Sequence, residues 1–360
     1  MASSIEDIKL CYEKSIEAYN TGRLEIARQL VEDVLKAFPS NGEALNSRGL
    51  IALSLNQAEE AEDWFKRAID ASPDATFYNS LSVAQVRLKA FPQAAASARS
   101  GLAFAEDYQP DLDTSLLLYN LGIALQLDDK LEDAVDIHRR TMERNPEHSD
   151  AHNNMGTCLN LLGKTDLAIN AYRRAIELDP KNLVGRGNLG YALLGAGDYS
   201  EAWPYFEHQW ACFQAGDSPA GIKPPALPIR RWLREGLPPG ENRLLVLAEQ
   251  GFGDTLQFCR YLEMTLRHFT AVGFLCPQPL RRLLTDSLCS RWPNLTVLDH
   301  KPLDALRWDW YCPLLSLPMA FGTRVDNIPA DLPYTGWISS FPLTLRSLIW
   351  RQPWASACGY

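Results

Sequence analysis

Small residues recur along the first 200 positions at Ser15, Gly49, Ser82, Gly122, Gly156 and Gly190, separated by 34, 33, 40, 34 and 34 residues. Twelve residues after each stands an alanine: Ala27, Ala61, Ala94, Ala134, Ala168 and Ala202. Another twelve residues on, a proline follows at Pro39, Pro73, Pro146 and Pro180, with Glu106 and Gln214 in its place in the third and sixth repeats. A period of this length allows one helical hairpin per repeat, and such hairpins bury their apolar faces only by stacking on one another. A small residue on one helix and an alanine on the next let the two approach closely. Phe65, Tyr172 and Phe206, four residues after their alanines, are bulky enough to fill the layer between neighbouring repeats. The proline ends the second helix, because it lacks an N–H and restrains the residue before it. Polar turns, "LGKTD" at 162–166 and "GAGDYS" at 195–200, separate the helices. The longer third interval places "AFAEDYQPDLDTSL" after a second helix, which predicts an extended helix or a local loop without a break in the array.

This pattern resembles the tetratricopeptide repeat (TPR) over residues 8–213, with about six repeats across 1–213. The resemblance implies an α-solenoid, the TPR superhelix, with first-helix side chains on its concave face. Asn120, Asn154 and Asn188 each lie two residues before a packing glycine, and Ser47 and Ser80 hold the corresponding earlier positions. A row of amides there can donate to and accept from the backbone of an extended peptide, so these three are the candidate peptide-groove residues. Asparagine at this position can equally bond from one helix to the next. Both readings stand on the sequence.

Charge narrows the partners. Residues 1–240 hold 24 Lys+Arg against 34 Asp+Glu, whereas 241–360 hold 11 against 10. An acidic array is the wrong sign for nucleic acid or an anionic membrane, which leaves a protein or peptide as the expected partner. The eight cysteines show no C-x-x-C pair and no neighbouring histidine pair, so neither a metal nor another cofactor is expected. "MASSIEDIKL" lacks the basic start and apolar core of a signal peptide, and no apolar run approaches a transmembrane length. A cytoplasmic location is the expectation.

Residues 214–241 form a Pro- and Gly-rich linker that cannot be a regular helix or central strand, with Trp232 and Leu233 as docking points. Beyond it, "RLLVLA" (243–248), "AVGFLC" (271–276) and "LTVLDH" (295–300) read as short buried strands. Between them, Leu256, Cys259, Leu262, Leu266 and Phe269, then Leu280, Leu283, Leu284 and Leu288, recur at helical spacing. Alternation of this kind predicts a parallel sheet, hence an α/β Rossmann-like half domain. "EQGFGDT" occupies the first strand-to-helix turn, where such folds place ligands. Gly251 and Gly253 are expected to allow positive φ and close backbone approach. The dinucleotide fingerprint fails, because Leu256 replaces its third glycine and Glu263 falls on the first helix; no lysine follows to make a phosphate loop. Asp254 then reads either as a general base or as the N-cap of the helix.

"LAEQGFGDTLQFCRYL", "WDWYCPLLSLPMAFGT" (308–323) and "IPADLPY" (328–334) together resemble a group of bacterial TPR proteins. Their C-terminal domain is a two-lobed, B-type glycosyltransferase related to the heptosyltransferases, and the layout is similar to O-linked N-acetylglucosamine transferase. The resemblance implies that residues 242–335 are the first lobe and that a nucleotide sugar is the donor. It casts Asp254 as catalytic base, and Gln250, Gly251, Gly253 and Thr255 as substrate-binding residues. Cys312 to Pro318 would line the lobe. A donor-binding second lobe should follow, but 336–360 reads as an aberrant tail with no such motif. The expectation is a TPR scaffold attached to an incomplete, inactive transferase domain; the alternative is a non-enzymatic scaffold whose α/β unit is purely structural.

Overall fold

The computed structural model describes residues 5–207, 227–233, 236, 242–249, 251–298 and 305–329. Most of the predicted linker, and all of the predicted tail, lie outside these residues. The chain divides into two compact units, 1–179 and 180–360.

The first unit contains ten described helices: α1 (Ile5–Asn20), α2 (Leu24–Ala37), α3 (Gly42–Ser54), α4 (Ala58–Ala71), α5 (Ala75–Arg87), α6 (Phe91–Tyr108), α7 (Ser115–Leu127), α8 (Leu131–Arg144), α9 (Ser149–Leu161) and α10 (Thr165–Leu178). They pair as five antiparallel hairpins, one per repeat. The twelve-residue alanines Ala27, Ala61, Ala94, Ala134 and Ala168 are all fully buried. Pro39, Pro73, Pro146 and Pro180 each fall two residues beyond the end of a second helix.

The packing glycines explain why the helices meet. A Cβ on Gly49 would lie 2.4 Å from a ring carbon of Phe65, and one on Gly156 would lie 2.8 Å from Tyr172. Phe65 therefore lies against the first helix of its own repeat, and it also shares a core cluster with Leu81 and Ala84 of the next repeat. The bulky side chain fills the layer as expected, but its seat is the glycine within the hairpin. The insertion in the third repeat becomes both an extended helix and a loop: α6 has 18 residues, against 14 in α4, and residues 109–114 follow it. Gln109 fastens this loop, accepting from the Ala75 N–H at 3.1 Å and donating to Asp74 Oδ2 at 2.6 Å.

The second unit begins with the sixth hairpin, α11 (Leu183–Ala196) and α12 (Tyr199–Phe206). A five-stranded, all-parallel sheet follows: β1 (Arg230–Arg231), β2 (Arg243–Leu247), β3 (Ala271–Leu275), β4 (Leu295–Leu298) and β5 (Trp310–Pro313), in the order β1-β5-β2-β3-β4. The three expected strands form at the expected places; β2 and β3 each end one residue early, and the last two residues expected of the third strand lie outside the described residues. Connecting helices are α13 (Phe252–Phe258), α14 (Leu262–His268) and α15 (Gln278–Leu284), and the short α16 (Leu317–Ala320) follows β5. The single amphipathic helix expected from Leu256 to Phe269 is broken at Cys259–Tyr261 by a 3-10 turn. Trp232 docks as expected, buried against Phe269 and Phe321 with ring centroids 5.1 and 5.4 Å away. The sixth hairpin is tied to this sheet: Trp203 Nε1 donates to the Thr323 carbonyl at 2.8 Å, and Arg231 on β1 pairs with Glu207.

Candidate functional site

In the first unit the row of first helices is cross-linked by side chains about one repeat apart. The Tyr12 hydroxyl meets Ser47 Oγ at 3.0 Å, and that of Tyr19 meets Ser54 Oγ at 3.1 Å. Asn120 Nδ2 donates to Asn79 Oδ1 at 2.7 Å, and Asn154 Nδ2 donates to the Tyr119 hydroxyl at 3.4 Å while its Oδ1 accepts from Asn153 Nδ2 at 3.3 Å. The two asparagines thus bond across helices. An amide offers two donor hydrogens and two acceptor lone pairs, so these bonds leave capacity at partly buried positions for a peptide backbone. Asn188 holds the same repeat position on α11, in the second unit.

Tyr119 sits on an imidazole cluster. Its ring centroid is 4.5 Å from that of His148 and 6.2 Å from that of His138. His138 occupies the seat taken by Phe65 and Tyr172 in other repeats, 2.4 Å from where a Gly122 Cβ would be. It is fully buried, and neither ring nitrogen has a hydrogen-bond partner. Burial, with a smaller contribution from His148, lowers its pKa to about 4. His148 Nδ1 accepts from the Ala151 N–H at 3.3 Å and so caps α9.

In the second unit, the connections from β2 lead to β3 on one side, while β5 returns to the other. The carboxyl ends of β2 and β5 therefore flank a topological switch point, the crevice where open α/β sheets bind ligands. The turn Gly251–Asp254 leaves β2 at this edge, and Leu314–Ser316 leaves β5. Asp254 stands at the third position of α13, not at its N-cap, which is Gly251. Its Oδ2 accepts from the Gly251 N–H at 3.1 Å. Thr255 is fully buried, with its hydroxyl donating to the Gly251 carbonyl at 3.1 Å. Neither glycine has the positive φ expected of it: Gly251 lies at −82°, and Gly253 is not among the left-handed residues. Among the described residues, a Cβ at Gly253 would meet nothing within 4 Å. Gln250 lies outside the described residues.

Between the two turns lies Glu249, 9% exposed. Its carboxyl oxygens accept from the Leu314 and Leu315 N–H groups, both at 2.9 Å, and so cap the helical turn after β5. Burial pushes its pKa up to about 8 against the opposing pull of those two donors. Arg231 Nη2 donates to Ser316 Oγ at 2.8 Å beside it. Cys312, at the head of "CPLLSLP", is completely buried, which raises its thiol pKa far above the ordinary value. Among the described residues, no group of three or more His, Cys, Asp or Glu side chains could hold a metal ion. No described helix is long and apolar enough to cross a membrane.

Models of the tetratricopeptide-repeat family match residues 12–76, 149–182 and 171–203. The chain carries tetratricopeptide repeats. Among solved structures it is similar to PilW, a widely conserved type IV pilus biogenesis factor, at 18% identity over 59% of this chain and 96% of that one, with a TM-score of 0.53. It is also similar to PilF of Pseudomonas aeruginosa, at 14% identity over 58% of this chain and 91% of that one, with a TM-score of 0.50. At such identities the likeness is one of fold. No curated protein matches the chain.

Sequence reasoning missed several residues that build these sites. Asn79 and Tyr119, the partners of the TPR amides, sit one position before the amide position of their own repeats, as does Tyr12. That register was available from the same alignment. Glu249 had no comparable signal, because its partners lie 65 and 66 residues downstream.

Proposed function

We propose that this TPR protein is an interaction scaffold that holds an extended segment of a partner protein along its row of first helices. The observation that carries this reading is the amide rungs, Asn120 and Asn154, fixed in orientation by Asn79 and Tyr119 yet only partly used. Fixed amides meet a peptide backbone with less entropy to lose than free ones. Binding of a synthetic peptide array to the wild type and to the N120A/N154A double variant tests it, with circular dichroism verifying that the helices persist. Broad loss of binding in the variant is expected. Equal binding by both proteins, or none by the wild type, rules the groove out.

A second reading concerns the α/β unit, and the switch-point position of the Gly251–Asp254 turn favours it. Here the unit is the acceptor-side lobe of a sugar transferase, Rossmann-like and related to the heptosyltransferases. Asp254 Oδ2 is oriented by the Gly251 N–H, and Oδ1 would take the proton from an acceptor hydroxyl as it attacks the sugar. The described residues hold one sheet, and the donor-gripping lobe of such enzymes has no counterpart among them. Release of nucleoside diphosphate from a panel of nucleotide sugars, with D254N as control, decides between transfer and a structural role. Turnover abolished by D254N supports transfer; no turnover with any donor leaves the unit a structural companion of the scaffold.

A further inference from the structure

We infer that the segment held by the first-helix row is uncharged and carries aliphatic side chains, read by an apolar ledge on repeats four and five. This rests on the proposed groove and specifies what the groove accepts. On α7, Leu116, Asn120, Ile123 and Leu127 follow one another at four, three and four residues, which places them on one helix face. On α9, Asn154 and Leu161 repeat the same seven-residue step. Leu116, Leu127 and Leu161 are 54%, 43% and 56% exposed, although they share this face with the amide rungs. A single exposed leucine needs no explanation, whereas three on one functional face of adjacent repeats mark a recognition surface.

The character of the face changes along the array. The position of Leu116 is Lys9, Glu43 and Thr76 in the three earlier repeats, and that of Leu127 is Asn20, Ser54 and Arg87. Repeats one to three therefore present polar and charged groups where repeat four presents Leu116 and Leu127 and repeat five presents Leu161. On the α7–α9 stretch the single charged side chain at these positions is Asp150, at the start of α9. On this face of α7 and α9 an acidic peptide would find no cation to offset its desolvation, and a basic one would find Asp150 alone; the turn after Leu127 adds Asp129 and the mutually paired Asp128 and Lys130, 2.6 Å apart. Neighbouring helices lie about 8–10 Å apart. An extended chain repeats its side-chain direction about every 7 Å. Alternate aliphatic side chains can thus settle against Leu127 and Leu161 while the backbone between them pairs with Asn120 and Asn154.

The test is fluorescence anisotropy with three labelled peptides of about twelve residues, long enough when extended to span both repeats. They alternate serine with leucine, aspartate or lysine. The expected result is binding of the Leu/Ser peptide, at least about tenfold tighter than either charged peptide. That binding should change little between about 50 and 500 mM salt. L127S/L161S should weaken it by about tenfold or more, since each side chain is exposed and its replacement leaves the core intact. N120A/N154A should weaken all three. Equal or tighter binding of a charged peptide overturns the inference while the groove stands. So does undiminished Leu/Ser binding by L127S/L161S when N120A/N154A has lost it. Failure of every peptide to bind the wild type removes the groove itself, and the inference with it.

Discussion

His138 shows how one side chain can carry a pH dependence into an otherwise apolar array. It is buried as the neutral imidazole, with no hydrogen bond to either nitrogen, and its pKa falls from 6.5 to about 4. The unfolded chain therefore binds a proton between those values that the folded chain refuses. The stability this neutral form confers is complete above pH 6.5 and is lost as pH falls toward 4, by about 3 kcal/mol in all. Urea titrations of the first unit at pH 7 and pH 4.5 measure the difference. H138F restores the aromatic found at this seat in the second repeat, and it should raise stability at pH 7 by about 1–2 kcal/mol while flattening the acid dependence. The anomaly is visible in the sequence as a histidine four residues after Ala134, but its cost is not. Only packing against Gly122 and Tyr119 removes every partner from the ring.

At the scale of the helical hairpin, the inner turns follow one rule. Seven residues after each small packing residue stands a residue with positive φ: Gly22, Asn56, Lys89, Asp129, Gly163 and Gly197. Glycine and asparagine suit this left-handed conformation, whereas lysine has a Cβ and no side-chain bond to offset the strain. K89G is expected to stabilise the first unit by up to about 1 kcal/mol, read as a shift in urea midpoint at constant slope. G122A should do the reverse, costing about 1–3 kcal/mol, because its methyl would stand 2.4 Å from the His138 ring. These hairpins were legible because every contact that defines them is local and recurs with the period. The turn in the α/β unit was less so: Gly251 and Gly253 suggested unusual φ, yet the structure uses ordinary backbone there and gives Asp254 to the Gly251 N–H.

At the scale of the whole molecule, the two units should respond to pH in opposite directions. Glu249 has its folded pKa raised from 4.5 to about 8, so the folded second unit holds a proton that the unfolded chain releases. Its stability should be greatest below pH 4.5 as far as this group is concerned, and should fall as pH rises toward 8, by at most about 5 kcal/mol. Hydrogen exchange followed by mass spectrometry at pH 5.5 and pH 8 can read β2, β5 and α16 separately from the array. Protection of these elements should weaken at the higher pH once intrinsic exchange rates are corrected for, and unchanged protection would contradict the assignment. The same experiment tests where the sixth hairpin belongs. With Trp203 bonded to Thr323 and Glu207 paired with Arg231, α11 and α12 should lose protection together with the sheet in W203F/R231A, although their sequence reads as a sixth repeat.

The sequence by itself determined the solenoid, its period, the seats of its glycines and alanines, and the strands β2, β3 and β4, because each rests on contacts within a few dozen residues. Tertiary structure decided the rest. It chose which side of β2 would receive β5, and so where the crevice lies. It gave the Glu249 carboxyl group to a helical turn 65 residues away, and it drew the sixth repeat into the sheet's unit. It also turned the asparagine row into cross-links whose partners stand on the preceding first helix. Such pairings depend on which distant groups meet once apolar surface is buried, and no local pattern records that choice.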